Sequence, residues 1–438
     1  MAVTSLFLYS LFAVLFLGAL LNPIVGVLGY LTVYMLYNPD VWWGAAVAKH
    51  LTRPSFVAVF FLAIGCLLHK DKLEWNISRR EKELYLFLGA IWLASLAFGV
   101  EVHEQSWMYL EKMTKLFVFI FIFLRVVHSL NRYKLVIWAF ILGGLFLGWQ
   151  AHVIGRFTAD GRLDNLGGID FSEANGFAAF LAMGTTLLGV QIFRASLWKK
   201  VLYVFGIAPM LNAIIMTQSR AVLLGVLMAT PYVLIRAPSE KRKQIYIAVT
   251  LGIVLFFMLA DTKFLTRMRT IQSNMGPDVE YTEEESINRF DFWKTSLEIF
   301  KDHPLGIGVK NFEKLVPYYD PRNPGRDAHN TYVLCYSEIG ILGIAVFLII
   351  IAETVIQIRR IHIMAMSTPH KEEIELHVFG LSTVLIIYLL GYMVTHSILY
   401  TEILWILLAM PICLENATKK LFQENQTTED EGHSLKYS

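Results

Sequence analysis

The sequence predicts an all-α polytopic membrane protein. Apolar runs of about 15 to 25 residues recur along nearly the whole chain, each close to the length that crosses a hydrocarbon core of roughly 30 Å. Hydrophobic residues make up 55% of the 438, and charged residues only 17%, against about 25% charged in an ordinary soluble domain. The lysines and arginines that remain gather in the loops between the apolar runs.

Thirteen apolar segments are expected as helices, at roughly 5–20, 23–37, 55–68, 84–100, 108–128, 134–153, 174–194, 199–217, 220–235, 244–260, 331–357, 376–397 and 401–415. The first two are joined only by Asn22 and Pro23, so they form either a tight hairpin or one long helix kinked at the proline. The N-terminal run MAVTSLFLYSLFAVLFLGALL lacks a positive n-region and a small-residue cleavage site, and is expected to be retained. Cys66, Cys335 and Cys413 all fall inside apolar segments without metal-ligand or CxxC spacing and read as packing residues.

Basic loops mark the cytoplasmic side. HKDKLEWNISRREKE (69–83), RAPSEKRKQ (236–244) and QIRRIHIMAMSTPHK (357–371) are basic and alternate with loops that are not. The opposite side, which in a bacterium is the periplasm, then receives 100–106, the glycine-rich 154–175 and a long polar insert. The expected organisation is an N-terminal transmembrane bundle over 1–260, a large periplasmic loop over 261–330, C-terminal transmembrane helices over 331–416, and a disordered cytoplasmic tail over 417–438. With twelve spans the N-terminus is cytoplasmic; with thirteen it is outside.

The insert carries one amphipathic helix. TEEESINRFDFWKTSLEIFKDHP opens with a capping box, Thr282 and Glu285, places Ile287, Phe290, Trp293, Leu297 and Phe300 at helical spacing, and stops at His303–Pro304. The glycines of LGIGVKNF then mark a turn.

Several polar residues stand where an apolar chain has no structural need of them. His329 and Asn330 sit at the joint of loop and helix in DAHNTYVLCYSEIGILG, either as a helix start capped by Asn330 or Asp327 or with His329 as a base, an imidazole titrating near pH 6.5 when unperturbed. Arg220, in MTQSRAVLLG, lies between two apolar runs with almost no loop, where it either snorkels or lines a polar cavity. Arg289, in INRFDFW, falls near the apolar face of the amphipathic helix. Lys112 and Lys115, one turn apart, pair with Glu111 or snorkel, and Lys115 is a candidate cavity residue. The loop bearing Arg156, Arg162, Asp164, Asp170, Glu173 and Asn175 has glycines that permit close backbone approach to a ligand.

A net charge of +2 with no arginine-rich strip gives no nucleic-acid signature. There is no GxxxxGK[ST] loop, no HExxH or similar zinc spacing and no GxSxG elbow. No metal or cofactor is expected. A transporter or non-catalytic scaffold is the reading from another class, but a transporter would place ionisable residues mid-span and show repeat symmetry between its halves. This chain gathers its unusual polar residues on outer loops and helix ends.

His329, Asn330, nine residues, Gly340, two residues and Gly343 match the pattern H-[NSQ]-x9-G-x-x-[GTY]. With SRAVLLG upstream and NRFDFWKTSLEIFKDHPLGIGVKNF between, the chain resembles the O-antigen ligase and polymerase superfamily, polytopic glycosyltransferases of the GT-C type with about twelve transmembrane helices and a helical periplasmic loop. The likeness is strongest over 210–345. NPIVGVLGYLTVYMLYNPDVWWG and DFSEANGFAAFLA are more loosely similar to ligase-type members. Asn288 stands where serine is common, and one N-terminal apolar segment exceeds the family's usual number.

The resemblance implies a donor glycan on undecaprenyl pyrophosphate, a lipid A–core acceptor and an active site at the periplasmic face of a bacterial inner membrane. It also implies lipopolysaccharide biosynthesis as the setting. The leaving pyrophosphate needs charge neutralisation more than protonation, which suits Arg220 and Arg289. The acceptor hydroxyl needs a base, which suits His329, and direct attack would be inverting and metal-independent. Asn330, Lys115, Arg156 and Arg162 are candidate supporting residues. Gly340 and Gly343 read as packing positions three to four turns below the histidine. A polymerase, or a ligase using protein serine or threonine as acceptor, fits the same motif.

Overall fold

A computed structural model of the chain describes residues 3–155, 157–158, 161–259 and 289–436. Each of the thirteen apolar segments falls on a helix. Among the described residues five helices are long and apolar enough to cross a membrane, at Leu130–Ile154, Ala174–Ile192, Leu197–Met216, Thr331–Ala365 and Lys371–Thr395, and shorter apolar helices occupy Leu6–Leu21, Pro23–Leu36 and Pro54–Leu68. Among the described residues there is no strand, only an isolated bridge between Phe157 and Leu163. The chain is an all-helical integral membrane protein.

The first two helices, α1 (Val3–Leu21) and α2 (Pro23–Leu36), form the hairpin and not the kinked rod. Asn22 caps α2 through Oδ1 to the Ile24 N–H, and Pro23 takes the first helical position, where a missing N–H is harmless. The two helices then pack antiparallel, with Gly26 against Ala19 and Gly29 against Leu15. A short helix α3 (Trp42–Ala48) follows, its neighbour α4 (Pro54–Leu68) closing against α1 and α2.

Next come α5 (Arg79–Leu93, continued by a π-helical turn Ala94–Phe98), α6 (Glu104–Val126), α7 (Leu130–Ile154), α8 (Ala174–Ile192), α9 (Leu197–Met216), α10 (Arg220–Arg236) and α11 (Arg242–Leu259). The capping box and Ile287 lie outside the described residues. Helix α12 (Arg289–Asp302) is the described part of the expected amphipathic helix, but it is rolled from the expected face. Phe292, Thr295, Ser296 and Ile299 are buried, Trp293 and Phe300 flank them half-buried, and Leu297 is 52% exposed. Packing against the next long helix sets this roll: Phe300 stacks edge-on to Tyr336 at 5.5 Å, and the Tyr336 hydroxyl donates to the Trp293 carbonyl.

After a short α13 (Phe312–Tyr319) comes α14 (Thr331–Ala365), expected as one straight span. It is broken at Gly340, where φ is +73°. The Tyr332 ring lies 6.0 Å from Phe347, although an unbroken helix would set those two residues ~22 Å apart along its axis. The chain therefore doubles back, and Gly340 and Gly343 are not below His329 on one rod. Into the break fits the LGIGVKNF run. Ile307 and Gly308 N–H donate to the Ser337 and Glu338 carbonyls at 3.0 and 2.9 Å, and Ile341 N–H donates to the Pro304 carbonyl at 2.9 Å. The groups freed by the break are thus satisfied by the loop.

The other side of the same loop is held by the π turn of α5. Val309 N–H donates to Ser95 Oγ and Asn311 Nδ2 to the Glu101 carbonyl. The buried Glu338 carboxylate then accepts from the Phe312 N–H at the start of α13 and from the Tyr400 hydroxyl. The fold closes with α15 (Lys371–Ile386, running through a π segment to Thr395) and α16 (Glu402–Lys436). Helix α16 runs on where a disordered tail is expected from 417: Ala417 and Thr418 are buried, Lys419 pairs with Glu415 at 3.0 Å, and Asn425 reaches the Ser367 carbonyl.

A Cβ at position 340 would stand 2.2 Å from the Leu305 carbonyl carbon, in a left-handed conformation besides. Gly340→Ala should therefore lower stability by about 2–4 kcal/mol. Gly189→Ala, in α8 with open space around it, should instead gain about 0.5–1 kcal/mol. Thermal unfolding of the purified variants measures both, and equal midpoints would contradict the docked break.

Candidate functional site

His329 and Asn330 open the short arm of α14, and the structure separates their jobs. Asn330 is the cap: Oδ1 accepts from the N–H groups of Tyr332 (2.9 Å) and Val333 (3.1 Å). Its Nδ2 donates to the Val394 carbonyl and its own N–H to Ser397 Oγ, both at 3.2 Å. Thr331 adds a second tie, donating to the His396 carbonyl (2.7 Å) and accepting from the Ile398 N–H (2.9 Å). The start of α14 is thus stapled to the end of α15. His329, at φ +47°, takes no part in the capping.

The second wall is the N-terminus of α10. Gln218 turns the chain at φ +50°, and Ser219 caps the helix through Oγ to the Val222 N–H. The Ser219 hydroxyl also donates to Asn175 Oδ1 (2.9 Å). Arg162 donates to that same oxygen from its guanidinium (3.0 Å) and through Nε to the Thr217 carbonyl (3.1 Å). The glycine-rich loop is thereby locked onto the turn that presents Arg220.

These elements enclose one cavity of about 200 Å³, lined by Arg162, Asn175, Gln218, Arg220, His329 and His396. Two guanidinium groups at a helix N-terminus make an anion-binding wall, because helix dipole and side-chain charges have the same sign there. The imidazoles of His329 and His396 approach to 6.4 Å between ring centroids, and Phe292 of α12 lies 6.1 Å from His329. Burial pushes the Asp327 carboxyl, two residues before His329, above the usual carboxylate range, offset in part by a Ser397 hydrogen bond and by His329.

Of the expected site residues, the cavity brings together His329, Arg220 and Arg162, with Asn330 behind His329 as its brace. Arg289 begins α12, three residues before Phe292, and its side chain lies outside the described residues, as does all of Arg156. Lys115 does not line the cavity. It is 61% exposed and pairs with Glu111. The inward lysine of that pair is Lys112, which meets Asp170 at 3.2 Å. Asp170 Oδ2 accepts from the Tyr34 hydroxyl (2.8 Å) and from the Glu402 N–H (2.7 Å), while Tyr30 donates to Glu402. This polar knot anchors the glycine-rich loop to α2, α6 and α16.

His396 and the knot were missed in the sequence. The signals were there as THS, ending one apolar run, and as Glu402, opening the next without a loop between.

The O-antigen ligase family model matches residues 205–348. Over that segment the chain is similar to the O-antigen ligase family. The matched stretch holds Arg220, α12, the docked loop and His329. Arg162, Asn175 and His396 come from outside it, so the cavity joins the O-antigen ligase segment to both flanks of the chain. No curated protein matches the chain.

Asn330→Ala removes a cap and leaves buried groups unpaired, and should lower stability by about 1–3 kcal/mol. Asp327 behaves oppositely at neutral pH. Folding favours its neutral form, so its stabilising contribution is fully present below an unfolded pKa of about 3.9 and is lost as pH rises through the higher folded value. Asp327→Asn should raise the thermal midpoint near pH 7.5 and leave it unchanged near pH 3.5, and a lower midpoint at pH 7.5 would show that folding favours the charged carboxylate instead.

Proposed function

We propose that the chain is an inverting, metal-independent glycosyltransferase. It moves a preassembled O-antigen glycan from undecaprenyl pyrophosphate to lipid A–core at the periplasmic face of a bacterial inner membrane. The observation that carries this reading is the convergence of Arg220, at the N-terminus of α10, with His329 in one cavity. The bundle would have about twelve spans, of the GT-C type. The basic loops 69–83, 236–244 and 357–371 lie in the cytoplasm and the His329 end faces the periplasm, in line with the bias of lysine and arginine.

The acceptor hydroxyl attacks the anomeric carbon, and the bond to the pyrophosphate oxygen breaks with its electron pair leaving on the pyrophosphate. His329 takes the hydroxyl proton as the new bond forms. Arg220 and Arg289 neutralise the departing charge, since guanidinium groups stay ionised and grip phosphate in a bidentate way. Arg162 adds a third positive group from the glycine-rich loop. Asn330 fixes the backbone from which His329 projects.

The test is transfer by purified full-length protein from a polyprenyl-pyrophosphate glycan to lipid A–core. His329→Ala should lower the rate about 10² to 10⁴-fold, the usual worth of a positioned base. Arg220→Gln should be comparably impaired, and Lys115→Ala should be unaffected. Unimpaired transfer by His329→Ala removes the proposed base. In cells, a deletion strain should accumulate bare lipid A–core together with full-length carrier-linked polymer; accumulation of single repeat units would make the protein a polymerase.

A further inference from the structure

A larger cavity lies elsewhere. A groove of about 1010 Å³ runs between α10, α14 and α15, from Tyr332 at one end to Arg236, Arg242 and Arg359 at the other. Its wall is apolar, and Val355, Ile363 and Leu390 are half or more exposed along it, so it opens sideways to lipid. Among the described residues, none of the three guanidinium groups forms an ion pair; the carboxylate at this mouth, Glu375, faces His362 at 3.9 Å. The mouth thus carries excess positive charge beside an apolar slot.

We infer that this groove binds a phospholipid with an anionic headgroup, its phosphate at Arg236, Arg242 and Arg359 and its acyl chains along α14 and α15. Charge placement selects this occupant. Arg236 follows Arg220 by sixteen residues on one helix, ~24 Å at the rise of an α-helix. A polyprenyl pyrophosphate held at Arg220 has its charge at the wrong end to satisfy these arginines. A membrane phospholipid of the leaflet at the Arg236 end places its phosphate beside them, in the way basic pockets between transmembrane helices bind anionic headgroups. The inference is independent of the transfer reaction.

The experiment is native mass spectrometry of the full chain, released from detergent after equilibration with equal amounts of dioleoylphosphatidylglycerol and dioleoylphosphatidylcholine. The wild type should retain the phosphatidylglycerol about a hundredfold over the phosphatidylcholine. Each of Arg236→Gln, Arg242→Gln and Arg359→Gln should cut that preference, by about fivefold where the guanidinium meets the phosphate directly, and the triple variant should abolish it. Val355→Trp, which fills the slot, should reduce retention of both lipids. Arg53→Gln, on the loop before α4, should change nothing. Equal retention of both lipids by the wild type, or an undiminished preference in the triple variant, would overturn the inference. So would displacement by sn-glycerol 3-phosphate, which would make the site one for free phosphate, or displacement of the glycerol lipid by an equimolar neutral polyprenol, which would make it a slot for the prenyl tail. The wild-type preference decides even if a variant fails to fold.

Discussion

Around Gly340 the backbone of α14 turns through a conformation that no helix uses, and the carbonyls of Ser337 and Glu338 lose their helical partners. In an apolar bundle an unpaired carbonyl is expensive. The N–H groups of Ile307 and Gly308 meet that need; Gly306 lets the loop come close enough to α14 to do so, and Gly308 lets it pack on Gly99 and Ser95. The His329 side of the site hangs from this docking. It allows α14 to double back, sets the short arm beside α15, and leaves His329 at the foot of that arm instead of on a surface loop.

Once the short arm is placed, electrostatics decides what the cavity can hold. One wall is a helix N-terminus bearing Arg220, with Arg162 tied to the turn before it, and the other offers two imidazoles. Such a wall suits an oxyanion, and in the proposed reaction the imidazoles would face the acceptor. The polar knot of Lys112, Asp170, Glu402, Tyr30 and Tyr34 lies behind and keeps the arginine-bearing loop from drifting. Rigid second-layer contacts of this kind hold a reacting geometry within the small tolerance that catalysis requires.

Much of this was legible in the sequence, because long apolar runs and a spaced His-Asn-Gly-Gly pattern are local signals. All thirteen runs fall on helices, and Arg220, Arg162 and His329 line one cavity. What stayed hidden depends on tertiary packing. The choice between Lys112 and Lys115 rests on which face of α6 turns inward, and a one-turn spacing does not decide it. Helix α12 was rolled by Tyr336, a residue of another element. Gly340 read as a small packing residue because an isolated glycine in an apolar run gives no sign of a positive φ. His396 stood at the end of a span with nothing nearby in sequence to pair it with His329.

The central claim is that Arg220 and His329 face one anion-binding space. It can be measured by following modification of His329 with diethyl pyrocarbonate, read by mass spectrometry of the digested protein, with and without inorganic pyrophosphate. The account predicts that pyrophosphate slows modification of His329 in the wild type and gives no protection in Arg220→Gln, while the exposed His370 reacts equally in every case. Modification of His329 at the same rate with and without pyrophosphate would contradict it.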